Sequence, residues 1–170
     1  WIRHPMYASL LLVGLALALL TIVIRLPSLI EPLDNDGGAI AYHARQIIRG
    51  NPLYSSHHPD HQLPGVFYTA ALAFKLLGDN QLSLKIFILP FIIACAWLIF
   101  IMGRSIHSEL TGLLGAVFYI LVSAQVLLTG TMVKIEPFAN FLLTAGTLTA
   151  ISLLQKNAPA RRFFWMGVPG

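Results

Sequence analysis

The sequence predicts an all-α, polytopic membrane protein with four complete transmembrane helices and one long external loop bearing juxtamembrane helices. Three observations lead there. Of the 170 residues, 56% are hydrophobic and only 11% are charged, with a mean hydropathy of +0.74. Soluble domains carry about 25% charged residues. The apolar residues are gathered into four uncharged runs long enough to cross a hydrocarbon core of about 30 Å. Backbone groups in lipid must be paired internally, which makes helices the default for such runs.

The first run is Met6 to Ile24 (6–24). No signal-peptide cleavage site follows it, so it reads as a retained anchor. Residues 25–85 form the expected external loop, which holds five of the seven acidic residues and four of the six histidines, so any charged chemistry is concentrated there. Within it Asp36 stands where a helix N-cap would be, and Ile40, Ala44, Ile47 and Ile48 recur at helical spacing. Arg45 and Arg49 fall on another face, and Gly50 with Pro52 ends the pattern. An amphipathic helix of this kind is expected against the membrane surface. Pro64 to Gly78 is apolar but short, and it carries Lys75. Its length predicts a juxtamembrane or partly inserted helix rather than a span.

The remaining spans are expected at 86–103, 110–133 and 137–155. Gly112, Gly115 and Gly146 within them are ordinary for membrane helices. With four spans, Arg3, Arg104, Lys156, Arg161 and Arg162 all fall on one side, as the positive-inside bias expects for a cytoplasmic face. The long loop and the Lys134–Glu136 corner then face outward together. A fifth span at Pro64 to Gly78 would separate them. Trp1 in place of Met, and a new apolar stretch starting at Phe163, lead us to expect that residues 1–170 are the N-terminal part of a longer transmembrane module, inactive by itself.

The net charge of +4 does not indicate nucleic acid, because Lys and Arg are scattered at segment edges and form no basic stripe with interleaved aromatics. The single cysteine, Cys95, excludes a disulfide within the chain and reads as a small buried hydrophobe.

The expected outward face gathers Asp34, Asp36, His57, His58, Asp60, His61, Lys134 and Glu136. Asp34-Asn35-Asp36-Gly37-Gly38 places two carboxylates two residues apart just before a helix. Glu136, preceded by Lys134, stands where the third span meets the fourth, and charge at a bilayer edge is costly enough to mark a candidate site. Plainer uses exist for each: Asp36 as a cap, Asp34 in a turn, Glu136 in a surface ion pair with Lys134. His57-His58-Pro59-Asp60-His61 offers metal-ligating groups but reads first as a solvated loop.

The order of these residues carries a resemblance. Asp34-x-Asp36-Gly37-Gly38, then Tyr42, Ala44-Arg45, Ile48 and Gly50, then Pro52-Leu53-Tyr54, His61, Pro64-Gly65 and Leu77-Gly78 resembles the first external loop of a known family. These are the polyprenyl-phosphate-sugar-dependent glycosyltransferases of the GT-C group, related to dolichyl-phosphate-mannose protein mannosyltransferases. The likeness covers about Ile24 to Leu154. Each motif is loose, and their specificity lies in order and spacing. The resemblance implies a GT-C-like fold and transfer of a sugar from a polyprenyl-phosphate carrier to a protein, lipid or glycan acceptor at the external face.

It also implies residue roles. Asp36 takes the place of the base for the acceptor hydroxyl, with Asp34 and Glu136 shaping the acceptor site or holding a divalent metal. Lys134, Arg45 and His61 are candidates for the leaving phosphate, and Tyr54 for substrate binding. The chain departs from the family at Gln62-Leu63-Pro64, where many relatives have Lys-Pro-Pro, so a phosphate-binding lysine is missing there. The expected setting is an integral membrane protein in a bacterial plasma membrane, its partners the lipid-linked donor, membrane lipids and an acceptor. Short loops without a luminal insertion point to that setting.

Rival readings remain open. A transporter would place ionisable residues inside spans, and the four runs hold no Asp, Glu, Lys, Arg or His, with Asn140 and Gln125 the polar amides in their interiors. A non-catalytic scaffold would tolerate replacement of Asp36. Arg3-His4-Pro5-Met6-Tyr7 resembles a stretch of isoprenylcysteine carboxyl methyltransferases. The acidic and Arg-rich stretch expected after it is absent, and a cytoplasmic flank with a helix start explains these residues.

Overall fold

The computed structural model describes residues 4–51, 53, 64–124 and 136–155, with side chains from residue 8 onward. Among the described residues there are six helices and no strand: α1 (His4–Ile30), α2 (Asn35–Ile48), α3 (Pro64–Leu77), α4 (Gln81–Ile106), α5 (Glu109–Ser123) and α6 (Glu136–Gln155). Three of them are long and apolar enough to cross a membrane, namely Ala8–Ile30, Gln81–Ile106 and Glu136–Gln155. The secondary structure of the described residues is thus all-helical and compatible with an integral membrane protein. The expected span at 110–133 is represented by α5, whose 15 residues reach about 22 Å at helical rise. Residues 125–135 lie outside the described part. α3, at 14 residues and about 21 Å, is too short to span, as its sequence predicts.

Helix α4 is the hub of the bundle. It packs on α5 and α6 along its length, on α1, and at its start on α3. Two apolar clusters result. One joins α1, α4 and α5 through Leu17, Ala96, Phe100, Ala116 and Ile120. The other joins α2, α3 and the first half of α4 through Ile40, Ala44, Phe67, Ala70, Phe74, Leu84 and Ile88, with Phe138 of α6 against it. At the far end of the first cluster α4 and α5 approach backbone to backbone. A Cβ on Gly103 would stand 2.6 Å from the Gly112 Cα, and one on Gly112 would stand 2.3 Å from the Phe100 carbonyl oxygen. Small residues permit such an approach in membrane bundles.

The helix boundaries depart from the sequence reading at two charged residues. α1 continues through Arg25 to Ile30, and α4 begins at Gln81 so that Lys85 lies inside it. The external loop expected at 25–85 is shortened at both ends. The physical reason is that each cation meets the carbonyl end of another helix. Arg25 Nη2 donates to the Ser123 carbonyl at the end of α5. Lys85 Nζ donates to the carbonyls of Ser28, at 2.6 Å, and Glu31 at the end of α1. Terminal carbonyls lack intrahelical donors and carry the negative end of the helix dipole, so cations are favoured there.

These contacts also set the ends of the bundle. The C-termini of α1 and α5 and the N-terminus of α4 share one end. The Gln155 amide donates to the Ser105 carbonyl at 3.3 Å, placing the C-termini of α6 and α4 at the opposite end. Glu136, at the start of α6, therefore belongs to the end that carries Arg25, Lys85 and the entry to α2.

Candidate functional site

The acidic turn is built by a proline and a cap. Pro32 has no N–H, and the residue before a proline is driven out of the α region, so α1 stops at Ile30. Four residues after Ile30, Asp34 adopts extended backbone as the N-cap of α2, and its Oδ1 accepts from the Gly37 N–H at 3.0 Å. The cap was expected at Asp36 and is found two residues earlier. The N-cap side chain reaches the amide three residues on, and Gly37 is buried at that position with Leu33 against it. Asp36 lies instead in the first turn, where a carboxylate complements the dipole.

α2 does not present its apolar face to a membrane surface. Ile40, Ala41 and Ala44 are buried, and the helix packs against Val66, Phe67, Ala70 and Phe74 of α3. Ile47 packs partly on the same cluster and Ile48 is half exposed. Several motif residues thereby acquire structural duties. Gly50 (φ 84°) and Gly78 (φ 96°) adopt the left-handed conformation that ends α2 and α3. Arg45 donates through Nε to both carboxylate oxygens of Asp79, at 2.8 and 3.0 Å, with its guanidinium 5.3 Å from the centre of the Phe74 ring. The arginine of the Ala44-Arg45 motif is thus tied to the residue that follows Leu77-Gly78.

Glu136 opens α6 on the same end of the bundle. One of its carboxylate oxygens, Oε2, is enclosed and has no hydrogen-bond partner among the described residues. Its helix is anchored by Phe138, which packs edge-on to Phe91 at 4.7 Å and lines an apolar cavity with Ile40, Val66, Ala70, Leu84 and Phe87. Ile40 follows Asp36 by one helical turn and Phe138 follows Glu136 by two residues. The helices that carry the two acidic corners therefore meet at one small apolar cleft, which no carboxylate among the described residues lines.

Lys134, His61 and Tyr54 lie outside the described residues, as do His57, His58 and Asp60. Of the candidate set, the structure places Asp34, Asp36, Glu136 and Arg45. The first three share one end, while Arg45 faces the α3–α4 turn through Asp79. Among the described residues no group of three His, Cys, Asp or Glu side chains is arranged to hold a metal ion. No family model, curated protein or solved structure matches the chain.

The sequence reading missed a polar cluster just below this end. Cys95 of α4 has Tyr119 of α5 and Thr144 of α6 as hydrogen-bonding neighbours, Tyr119 has Asn140 of α6, and Arg25 of α1 lies near Tyr119. Cys95, Tyr119 and the Asn140–Thr144 pair each sit in an apolar run of a different helix. The signal in the sequence was slight: Arg25 and Asn140 stand within a turn of expected span ends, while Tyr119 falls in the middle of its expected span.

Proposed function

We propose that this chain is part of a membrane glycosyltransferase of GT-C type, transferring a sugar from a polyprenyl-phosphate carrier to a hydroxyl acceptor. The carrying observation is that the Asp34–Asp36 turn and Glu136, whose Oε2 is enclosed without a hydrogen-bond partner among the described residues, lie at one end of an apolar bundle. A lipid-borne donor requires that arrangement, because its prenyl chain stays among apolar helices while its phosphate and sugar stand at their ends. In this reading Asp36 accepts the proton of the acceptor hydroxyl. The acceptor oxygen then bonds to the anomeric carbon from the side opposite the phosphate. The bond from that carbon to the phosphate oxygen breaks, and polyprenyl phosphate departs with the electron pair.

Charge builds on the departing phosphate, where Lys134 and His61 are the assigned stabilising groups. Arg45 serves the site less directly, since its Nε already holds Asp79. Asp34 is spent on the cap and fixes the turn, and Glu136 orients the acceptor. An outward-facing site in a bacterial plasma membrane completes the proposal.

A transporter is the second reading, favoured by Arg25 and Lys85 within helices of spanning length. Both cations, however, donate to helix-end carbonyls, which accounts for their burial without a permeating substrate. The deciding experiment supplies the full-length protein in membranes with polyprenyl-phosphate hexoses and a mixture of acceptors. Transfer by the wild type that falls about 10²–10⁴-fold in Asp36→Asn supports the proposal. Absence of transfer with any donor, or full activity in Asp36→Asn, refutes it.

A further inference from the structure

The backbone between α1 and α2 has an unusual support. In an unbroken helix the N–H of residue 32 would donate to the carbonyl of residue 28. Residue 32 is proline and has no N–H, so the Ser28 carbonyl is left without its helical donor. Lys85, from another helix and 57 residues away, supplies it: Nζ donates to the Ser28 carbonyl at 2.6 Å. The same ammonium donates to the Glu31 carbonyl, immediately before the proline. Lys85 is only 7% exposed, so these bonds are made in a protected setting. Three residues after Glu31 comes Asp34, whose carboxylate caps α2, and two further on comes Asp36. The neighbouring Leu84 and Ile88 of α4 are part of the core that buries Ile40 and Ala44 of α2. One turn of α4 therefore holds the acidic segment at both ends, by charge at Glu31 and by packing at Ile40.

We infer that Lys85 is a positioning residue for the Asp34–Asp36 carboxylate pair: it replaces the missing proline donor and fixes the strand of backbone that presents the pair. What the pair does rests on the glycosyltransferase reading; that Lys85 fixes it does not. A cation is required because it meets two carbonyls at once at the negative end of a helix dipole. A neutral side chain of similar length fills the space and leaves both carbonyls without a donor.

The test uses the full-length protein in lipid nanodiscs with Lys85→Met and Lys85→Arg, the arginine retaining several donors. Backbone hydrogen exchange is read at residues 35–38 and, as a reference, at Ala116 and Ile120 in the α5 core. Donor-dependent transfer is measured alongside. In Lys85→Met, exchange at 35–38 rises about tenfold or more while the reference amides stay within about twofold. The kcat falls about 10²-fold, the usual consequence of a small misplacement of a catalytic group, with KM for donor little changed. Lys85→Arg recovers most of both. Unchanged exchange at 35–38 in Lys85→Met overturns the inference, as does a rise spread equally over α5 or an arginine variant no better than methionine. If the wild type transfers no sugar while the exchange pattern follows Lys85 as stated, the glycosyltransferase reading fails and the positioning role stands.

Discussion

Substituting Gly112 by alanine asks how much of the bundle depends on one backbone contact. The added Cβ would lie 2.3 Å from the Phe100 carbonyl oxygen and 3.0 Å from the Arg104 nitrogen. An ordinary carbon–oxygen contact is about 3.3–3.6 Å even when counted as a weak hydrogen bond, so α4 and α5 must part by roughly 1 Å. The obstructing atoms are backbone, which has no rotamer by which to yield. Overpacking of this kind costs about 1–3 kcal/mol. A gap approaching 1 Å also forfeits up to about half of the dispersion energy of atoms across it. That gap opens next to Phe100 and Ala116, both fully buried.

The expected loss is about 2–3 kcal/mol, or 30- to 150-fold in the unfolding equilibrium at 1.36 kcal/mol per decade. Gly146→Ala is the control, because nothing lies within 4 Å of a Cβ built there. Removing a helical glycine there is expected to be neutral or to stabilise by up to about 1 kcal/mol. Reversible unfolding in mixed micelles with increasing SDS measures both. Equal midpoints for the two variants would show that the close approach of α4 and α5 is not what holds them, and the reasoning would be wrong.

Other consequences follow from particular contacts. Asp34→Ala removes the α2 cap and is expected to cost about 0.5–2 kcal/mol, with Asp34→Asn recovering most of it because an amide oxygen also caps; the same unfolding assay reads the difference. Arg45 and Asp79 are about 39% and 54% exposed, so a double-mutant cycle on the pair should give a coupling of only about 0.2–1 kcal/mol. A coupling above 2 kcal/mol would mean that the pair is shielded from solvent in the membrane. With Cys95 replaced by Ser, single cysteines at positions 36 and 136 should label from the same side of intact cells with an impermeant thiol reagent. Labelling of only one would separate the acidic corners and remove the site. Phe67→Ala empties a fully buried position between α2 and α3 and should cost about 3–5 kcal/mol, seen as early loss of protection in α2.

The apolar runs made α1, α4 and α6 legible, because a run of uncharged residues of spanning length has few alternatives. Their ends were not legible. Arg25 and Lys85 look like span boundaries in sequence, yet both lie inside helices, since what decides is whether a carbonyl terminus waits opposite, and that is a tertiary fact. Asp34 and Asp36 both satisfy the cap pattern, and the choice fell to Gly37, whose buried amide lies within reach of Asp34. The apolar stripe of α2 was correctly periodic but said nothing of its partner, because Ile40 and Ala44 would pack as well on lipid as on Phe67. The polar cluster of Cys95, Tyr119, Asn140 and Thr144 was invisible for the same reason: three helices each contribute one or two polar groups, and only the packing of α5 and α6 on α4 joins them.

The two acidic corners are held with unequal firmness, and the difference bears on which could respond to a substrate. The Asp34–Asp36 turn is secured by the Lys85 bonds at Glu31, by the Asp34 cap and by the burial of Ile40 and Ala44. Among the described residues Glu136 has fewer supports. Among the described residues α6 buries only Pro137, and its attachments are Phe138 and Phe141 on Phe91, the Asn140–Thr144 neighbours of Cys95 and Tyr119, and one amide at its far end. The enclosed Glu136 Oε2 has no partner among the described residues, and a hydroxyl or a cation brought beside such an oxygen recovers free energy. On the proposed glycosyltransferase reading, a donor headgroup entering at this end is therefore expected to shift the start of α6 more than the α2 turn.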